Sequence, residues 1–230
     1  MTGENHAMKA IAIDGPSGAG KSTLARSIAK TLGYLYVDTG AIYRTIGCFT
    51  RENRIDPKDE AAVLAALPRL RLEITYGADG LQHMLLRGRD VTEEIRLPEM
   101  SLCASAVSAH PGVRAYLLEM QRRLARENNV VMDGRDIGTV VLPEADVKVF
   151  LTASPEERAR RRMLELEERG TPQSFETILR EIGERDWNDT HRAAAPLRQA
   201  EDAVALDTTG LSFRQSEEAL LRIIKERIPA

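Results

Sequence analysis

The chain has 230 residues, 43% hydrophobic and 29% charged, enough for one α/β domain with a small insertion and a packed core. Lys and Arg total 32 against 35 Asp and Glu, a net charge of −3. That balance argues against general nucleic-acid or membrane-surface binding, since both need a basic excess. Aromatic residues make up only 4%, so Ala, Leu, Ile and Val must fill the core. No apolar run reaches the roughly 18 residues of a membrane span. Residues 1–7 are polar, lack the apolar centre of a signal peptide and read as a disordered extension. Cys48 and Cys103 stand far apart with no CxxC or His neighbour, and read as small buried hydrophobes in a reducing cytoplasm. With no stripe of exposed apolar residues, a monomer is the expectation.

Lys9–Asp14 is short, apolar and β-branched, and breaks into Gly15-Pro16-Ser17-Gly18, a buried strand entering a tight turn. Lys21–Leu32 carries Leu24, Ile28 and Leu32 at spacings of four and stops at Gly33, an amphipathic helix. Tyr34–Asp38 is a second strand and Ala41–Asn53 a helix. Asp56-Pro57 predicts another helix, with Asp as N-cap and Pro at the first position, ending near Pro68. Arg69–Tyr76 then alternates, with Leu70, Leu72 and Ile74 on one face. Gly77–Gly80 is a turn and Leu81–Leu86 the returning strand. Such a hairpin inside a βα chain marks an inserted subdomain, roughly residues 56–101.

Pro111–Asn128 is a long helix with an Arg-rich polar face. Val130–Asp133 and Val147–Leu151 are buried strands. Ser154-Pro155-Glu156-Glu157 is a capping box opening a helix through Arg158, Arg160, Arg161 and Arg162 toward Gly170. Ser174–Arg192 is a helix, Ala203–Asp207 a strand and Phe213–Ile228 a last helix. Strands alternating with helices imply a mostly parallel sheet covered on both faces.

Gly15-Pro16-Ser17-Gly18-Ala19-Gly20-Lys21-Ser22 fits GxxxxGK[ST], follows a strand and opens a helix. Its glycines let backbone N–H groups close on phosphate, and the next helix presents its positive end to the same anion. Lys21 reaches the β- and γ-phosphates, Ser22 supplies a hydroxyl for Mg²⁺, and Thr23 extends the nucleotide-binding run. A nucleoside triphosphate with Mg²⁺ follows; the destination of the phosphoryl group does not. A GTPase switch would carry Asn-Lys-x-Asp, and a transporter ATPase an LSGGQ-type signature; the chain has neither. Transfer to a small molecule needs many positive charges around one dry cleft. The arginines at 158, 160, 161 and 162 suit a closing flap, although Glu165 and Glu167 offer them the partners of an ordinary solvated helix face.

Four further segments carry a family resemblance: Asp38-Thr39-Gly40-Ala41-Ile42-Tyr43-Arg44, Asp133-Gly134-Arg135-Asp136-Ile137-Gly138-Thr139-Val140-Val141, Ser154–Met163, and Glu184-Arg185-Asp186 with Asp189 and Arg192. Together, in this order, they resemble the bacterial cytidylate kinases from about Lys9 onward. The resemblance implies a P-loop kinase core with a five-stranded, mostly parallel sheet, residues 8–55 and 102–230, with a lid over about 157–172. The insertion 56–101, with its small antiparallel sheet, becomes part of a monophosphate-binding domain. The implied reaction is ATP + CMP or dCMP giving ADP + CDP or dCDP. By resemblance, Arg44, Arg135 and Arg192 grip the acceptor phosphate and Thr39 helps position it. Ser105, Arg114 and Asp136 read cytosine. Arg185 and Asp189 hold the ribose, with Tyr43 packed nearby. Arg158 and Arg162, with Lys21 and Arg135, neutralise the transferring group. Independently of the resemblance, Asp133 ends an apolar strand beside the phosphate loop and is expected to hold Mg²⁺ through water.

The chemistry agrees with these roles. Cytosine offers an N4 donor and acceptors at N3 and O2, so a carboxylate takes the first and Arg or Ser the others. Uracil would turn an oxygen toward Asp136 and be rejected. Planar guanidinium groups bind phosphate in a bidentate way. Without the resemblance, Asp136 also fits a helix N-cap, Arg135 a pair with Glu144, Asp189 a surface carboxylate, and Ser105 and Arg114 a helix surface. A UMP/CMP or shikimate-type kinase and a nucleotide-switched binding module are the competing functions.

Overall fold

The computed structural model describes residues 8–168 and 170–228; the 1–7 extension lies outside them. Five parallel strands form the main sheet: β1 (Ala10–Asp14), β2 (Leu35–Asp38), β6 (Val130–Gly134), β7 (Val147–Thr152) and β8 (Val204–Asp207). Their spatial order is β2-β6-β1-β7-β8. Every neighbouring pair is parallel, so each connection must cross a face of the sheet. That explains the near-continuous burial of β1 and β6, which are covered on both sides.

One face packs Ile11, Ile13 and Val149 against Leu24 and Ile28 of α1 (Lys21–Leu32) and Leu220 and Ile224 of α8 (Phe213–Arg227). The other face sets Ala12, Val37 and Met132 against Ala125 of α5 (Pro111–Glu127). α1 begins and ends at the residues its periodicity predicts, and Gly33 closes it at φ 68°. α2 (Thr39–Glu52) starts two residues earlier than expected, because Asp38 caps it: the Asp38 carboxylate accepts the Ala41 N–H at 2.8 Å.

The hairpin is present as β3 (Leu72–Tyr76) and β4 (Gln82–Leu86), joined by a third strand, β5 (Arg89–Asp90), too short to leave an alternation in the sequence. Leu70, Leu72 and Ile74 do share the inward side, beneath Met84 and Phe49. The helix expected from Asp56 is shorter. Asp56 instead closes a turn by accepting the Lys58 N–H, and α3 (Glu60–Ala66) is capped by Asp59, which accepts the Ala62 N–H. α4 (Pro98–Ser108) was not anticipated: its apolar residues lie all round the helix, so no periodic stripe announces it. α2, α3, α4, the hairpin and the start of α5 share one core around Phe49, Ile42, Met100 and Leu117. α6 (Pro155–Glu168) and α7 (Phe175–His191) make a separate small core from Ala159, Leu166, Ile178 and Ile182.

Candidate active site

The carboxyl ends of β1, β2 and β6 lie side by side, and the register puts Asp38 opposite Asp133 and Asp14 opposite Gly134. The phosphate loop leaves β1 there. Gly15 adopts φ 150°, and a Cβ on it would meet the Leu151 carbonyl oxygen at 1.9 Å. Only glycine fits against β7 at this point. Gly18 and Gly20 are left-handed, turning the chain into the N-terminus of α1. Lys21 is buried, and its Nζ donates to the Pro16 carbonyl at 2.7 Å, folding the lysine back across the loop. Burial, and then the Arg135 charge, pull the Lys21 pKa down to about 7. An ammonium group penalised by burial and by a neighbouring cation is stabilised by a polyanion.

Asp133 receives two hydroxyls, Ser22 Oγ on one oxygen at 2.9 Å and Tyr36 OH on the other at 2.9 Å. Its backbone carbonyl accepts from Thr39 Oγ1 at 2.7 Å. Burial, then the nearby Asp38, raise its pKa to about 6. Asp14 is also buried and raised to about 6, chiefly by burial, yet it accepts the Ile137 and Gly138 N–H groups at 2.8 and 2.7 Å. Those bonds fix a π-helical turn, Ile137–Val141, directly after Asp136. Asp136 makes no side-chain cap to that turn, so its carboxylate is free for other partners.

Basic residues converge on this edge from three elements. Arg44 of α2 donates to Asp38 at 2.8 Å. Arg135 donates to Asp189 of α7 at 2.7 Å, not to Glu144, and Asp189 is buried rather than on the surface. Burial opposes ionisation of Asp189, but Arg135 and Arg185 hold its pKa below the usual carboxylate range. Arg185 makes no hydrogen bond among the described residues, and its Nε and that of Arg44 are buried without a partner. Burial, then repulsion from Arg135, pull the Arg185 pKa to about 10, with Arg44 and Arg162 adding to the repulsion. Buried donors without acceptors are uncommon in folded proteins.

A second cluster adjoins the first. Arg114 pairs with Asp136 and donates to the Ser108 carbonyl at 3.0 Å, with its guanidinium 5.5 Å above the Tyr43 ring. Arg192 lies 3.8 Å from Asp136 and donates to the Ala195 carbonyl. Ser105 is one helical turn before Ser108, whose hydroxyl donates to the Ser105 carbonyl. The geometry therefore groups Arg44, Arg135 and Arg185 together, and sets Arg192 beside Arg114 and Asp136.

The arginines of α6 diverge. Arg158 is buried, donating to the carbonyls of Ala153 and Ser17 and to Asp186. Arg161 donates to the carbonyls of Ala19 and Thr208. Both brace the outer side of the phosphate loop by its oxygens. Arg162 pairs with Glu165 at 2.8 Å and faces the Arg185 side, and Arg160 is exposed.

The cytidylate kinase family model matches residues 11–226. The chain belongs to the cytidylate kinase family. A cytidylate kinase from Carboxydothermus hydrogenoformans is 52% identical over 214 residues, 93% of this chain and 96% of that protein. One from a Geobacillus species is 47% identical over 218 residues, 95% and 97% of the two chains. A bifunctional pantoate ligase/cytidylate kinase from Prochlorococcus marinus is 47% identical over 220 residues, 95% of this chain but 45% of that longer protein. Among solved structures, an uncharacterized protein from Eubacterium ventriosum aligns over 96% of this chain and 99% of its own at TM-score 0.53 and 12% identity, a likeness of fold alone.

Within this cytidylate kinase family member, several site groups carried no readable signal in the sequence. Asp14 and Tyr36 act through partners distant in the chain. Asp38 belongs to one of the segments that carry the resemblance, but its cap on α2 and its grip on Arg44 need the folded helix. Arg161 was visible only as one of four arginines.

Proposed function

We propose that the chain transfers the γ-phosphoryl group of ATP to CMP or dCMP, giving ADP and CDP or dCDP, within the pyrimidine nucleotide metabolism of the cytoplasm and as a monomer. The observation that carries the reading is the convergence of Arg44, Arg135 and Arg185, with the Nε donors of Arg44 and Arg185 buried and unpartnered, at the same end of the sheet as the phosphate loop. Such a cluster, repelling itself when empty, is built for a second phosphate facing the first.

In this reading Gly15, Pro16, Ser17, Gly18, Ala19, Gly20, Lys21, Ser22 and Thr23 hold the ATP phosphates. Arg44, Arg135 and Arg185 grip the acceptor phosphate, with Arg192 at its base-side flank and Thr39 below it. Asp136, Arg114 and Ser105 read cytosine: the carboxylate accepts from N4 and the donors serve N3 and O2. Asp189 takes the ribose hydroxyls, and Tyr43 packs against the sugar. Arg162 closes from α6 onto the transferring group, while Arg158 steadies the loop that presents it. No general base is required, since the acceptor is already a phosphate oxygen.

The Ser22 hydroxyl and the Asp133 carboxylate offer paired hard oxygen donors next to Lys21, which suits Mg²⁺. Ser22 would bind it directly and Asp133 through water, and the ion would neutralise charge on the phosphates. Tyr36 keeps the Asp133 carboxylate turned toward Ser22.

Release of ADP with CMP, dCMP, UMP, AMP and shikimate as acceptors tests the proposal. Turnover with CMP and dCMP well above UMP is the expected result. Equal turnover without any acceptor, or preference for shikimate, would overturn it.

A further inference from the structure

β2 is the edge strand of the main sheet, paired through β6 on one side only. Backbone groups of alternate residues point to its open side. At Tyr36 and Asp38 these groups are buried, so they need partners other than water. They find them in two side chains of the inserted hairpin. Tyr76 OH donates to the Tyr36 carbonyl at 3.1 Å. The Gln82 Oε1 accepts the Asp38 N–H at 2.8 Å, and its Nε2 lies 3.3 Å from the Asp38 carbonyl. Tyr76 and Gln82 are directly opposed across β3 and β4, so one cross-strand pair forms a clip on the β2 edge.

The two jaws of the clip hold different things. Tyr76 holds a residue of the strand interior. Gln82 holds the peptide of Asp38, whose carboxylate both caps α2 and pairs with Arg44. Gln82 is itself buried and also donates to Met84 Sδ at 3.0 Å, so its amide has little freedom to turn. We propose that Gln82 is a positioning residue for the acceptor-phosphate grip, setting Arg44 through Asp38 from the far side of the insertion. The inference rests on Arg44 binding the acceptor phosphate, as proposed above. It makes the hairpin part of the acceptor pocket's support.

The test compares Gln82→Met with Tyr76→Phe by steady-state kinetics. Q82M keeps the length and burial but removes both bonds to Asp38; Y76F removes one bond from the same hairpin to the same strand. For Q82M the KM for CMP should rise about five- to tenfold, the scale of a lost buried hydrogen bond, while the KM for ATP stays within about twofold. For Y76F both KM values should stay within about twofold, whatever its melting temperature. The proposal is overturned if Q82M raises both KM values alike, if it leaves the KM for CMP unchanged, or if Y76F raises it equally. Should Q82M not fold, Gln82→Asn, with a shorter amide that withdraws from the Asp38 peptide, is held to the same criteria. Lack of CMP turnover by the unaltered protein would instead sink the functional reading itself, and Arg44→Met, if it left the KM for CMP unchanged, would sink the assignment of Arg44.

Discussion

Replacing Arg185 by Met should make the ligand-free protein more stable and its acceptor pocket useless. The Arg185 guanidinium is partly buried, its Nε has no partner, and burial together with Arg135 pulls its pKa to about 10. At about 1.4 kcal/mol per pKa unit, that depression represents roughly 3 kcal/mol against the folded state. The sign follows from linkage: a cation with a depressed pKa is disfavoured by folding at every pH below the folded value, neutral pH included. Met retains most of the apolar stem and removes the charge. Partial exposure screens some of the penalty, which leaves a net gain of about 1–2 kcal/mol. In a chain of this length that is a rise in Tm of roughly 2–8 °C. Acceptor affinity should move the other way, by about 10- to 100-fold, because a charged hydrogen bond to phosphate is lost. Thermal melts without ligand, with CMP, and with a non-hydrolysable ATP analogue read both effects at once. R185M should start higher, respond normally to the analogue and respond weakly to CMP. A lower ligand-free Tm, or an undiminished response to CMP, would refute the argument that this cation is held in place for a missing anion.

Three other perturbations address different parts of the site. Arg162→Ala should lower kcat at least about tenfold while the KM for ATP stays within about twofold, because a lid charge acts mainly on the transferring group; an intact kcat would count against that role. The stability of the ligand-free protein should pass through a minimum near pH 6–7. Burial and Asp38 raise Asp133 to about 6, so its contribution is lost as pH rises toward that value, whereas Lys21, pulled down to about 7, lets stability climb again above it. Urea unfolding across pH 4.5–9.5 should show both limbs, and Lys21→Met should flatten the alkaline one. Gly15→Ala should cost about 3 kcal/mol or more, measured by the same unfolding, since its Cβ would lie 1.9 Å from the Leu151 carbonyl oxygen.

The parts of this molecule legible from sequence are those set by local chemistry. The α1 helix, its Gly33 stop and the phosphate loop before it follow from spacing and backbone freedom within 25 residues. The β3–β4 hairpin follows from alternation and a glycine-bounded turn. The misses have physical causes. Asp56-Pro57 and Asp59 both look like helix starts, and only the packing of Val63 and Ala66 into the shared core selects the second. α4 is apolar on most sides and leaves no stripe. The π turn at 137–141 depends on Asp14, more than 120 residues away, for its first two N–H partners. In the site, the motifs named the arginines but not their pairing. That Arg192 stands by Asp136, and Arg185 by Arg135 and Arg44, is a product of how α7 lies across the sheet edge.

The Asp14 carboxylate joins the two halves of the proposed site on one stem. It ends the strand from which the phosphate loop springs, and it anchors the turn that follows Asp136. The phosphate loop and the turn after Asp136 are thereby hung from adjacent strands of the central sheet, and cannot drift apart without breaking both bonds to a buried carboxylate. On the proposed function, any closure of the two nucleotides on each other is left to the outlying parts, the α6–α7 pair and the hairpin with its helices. The frame itself keeps a fixed gauge.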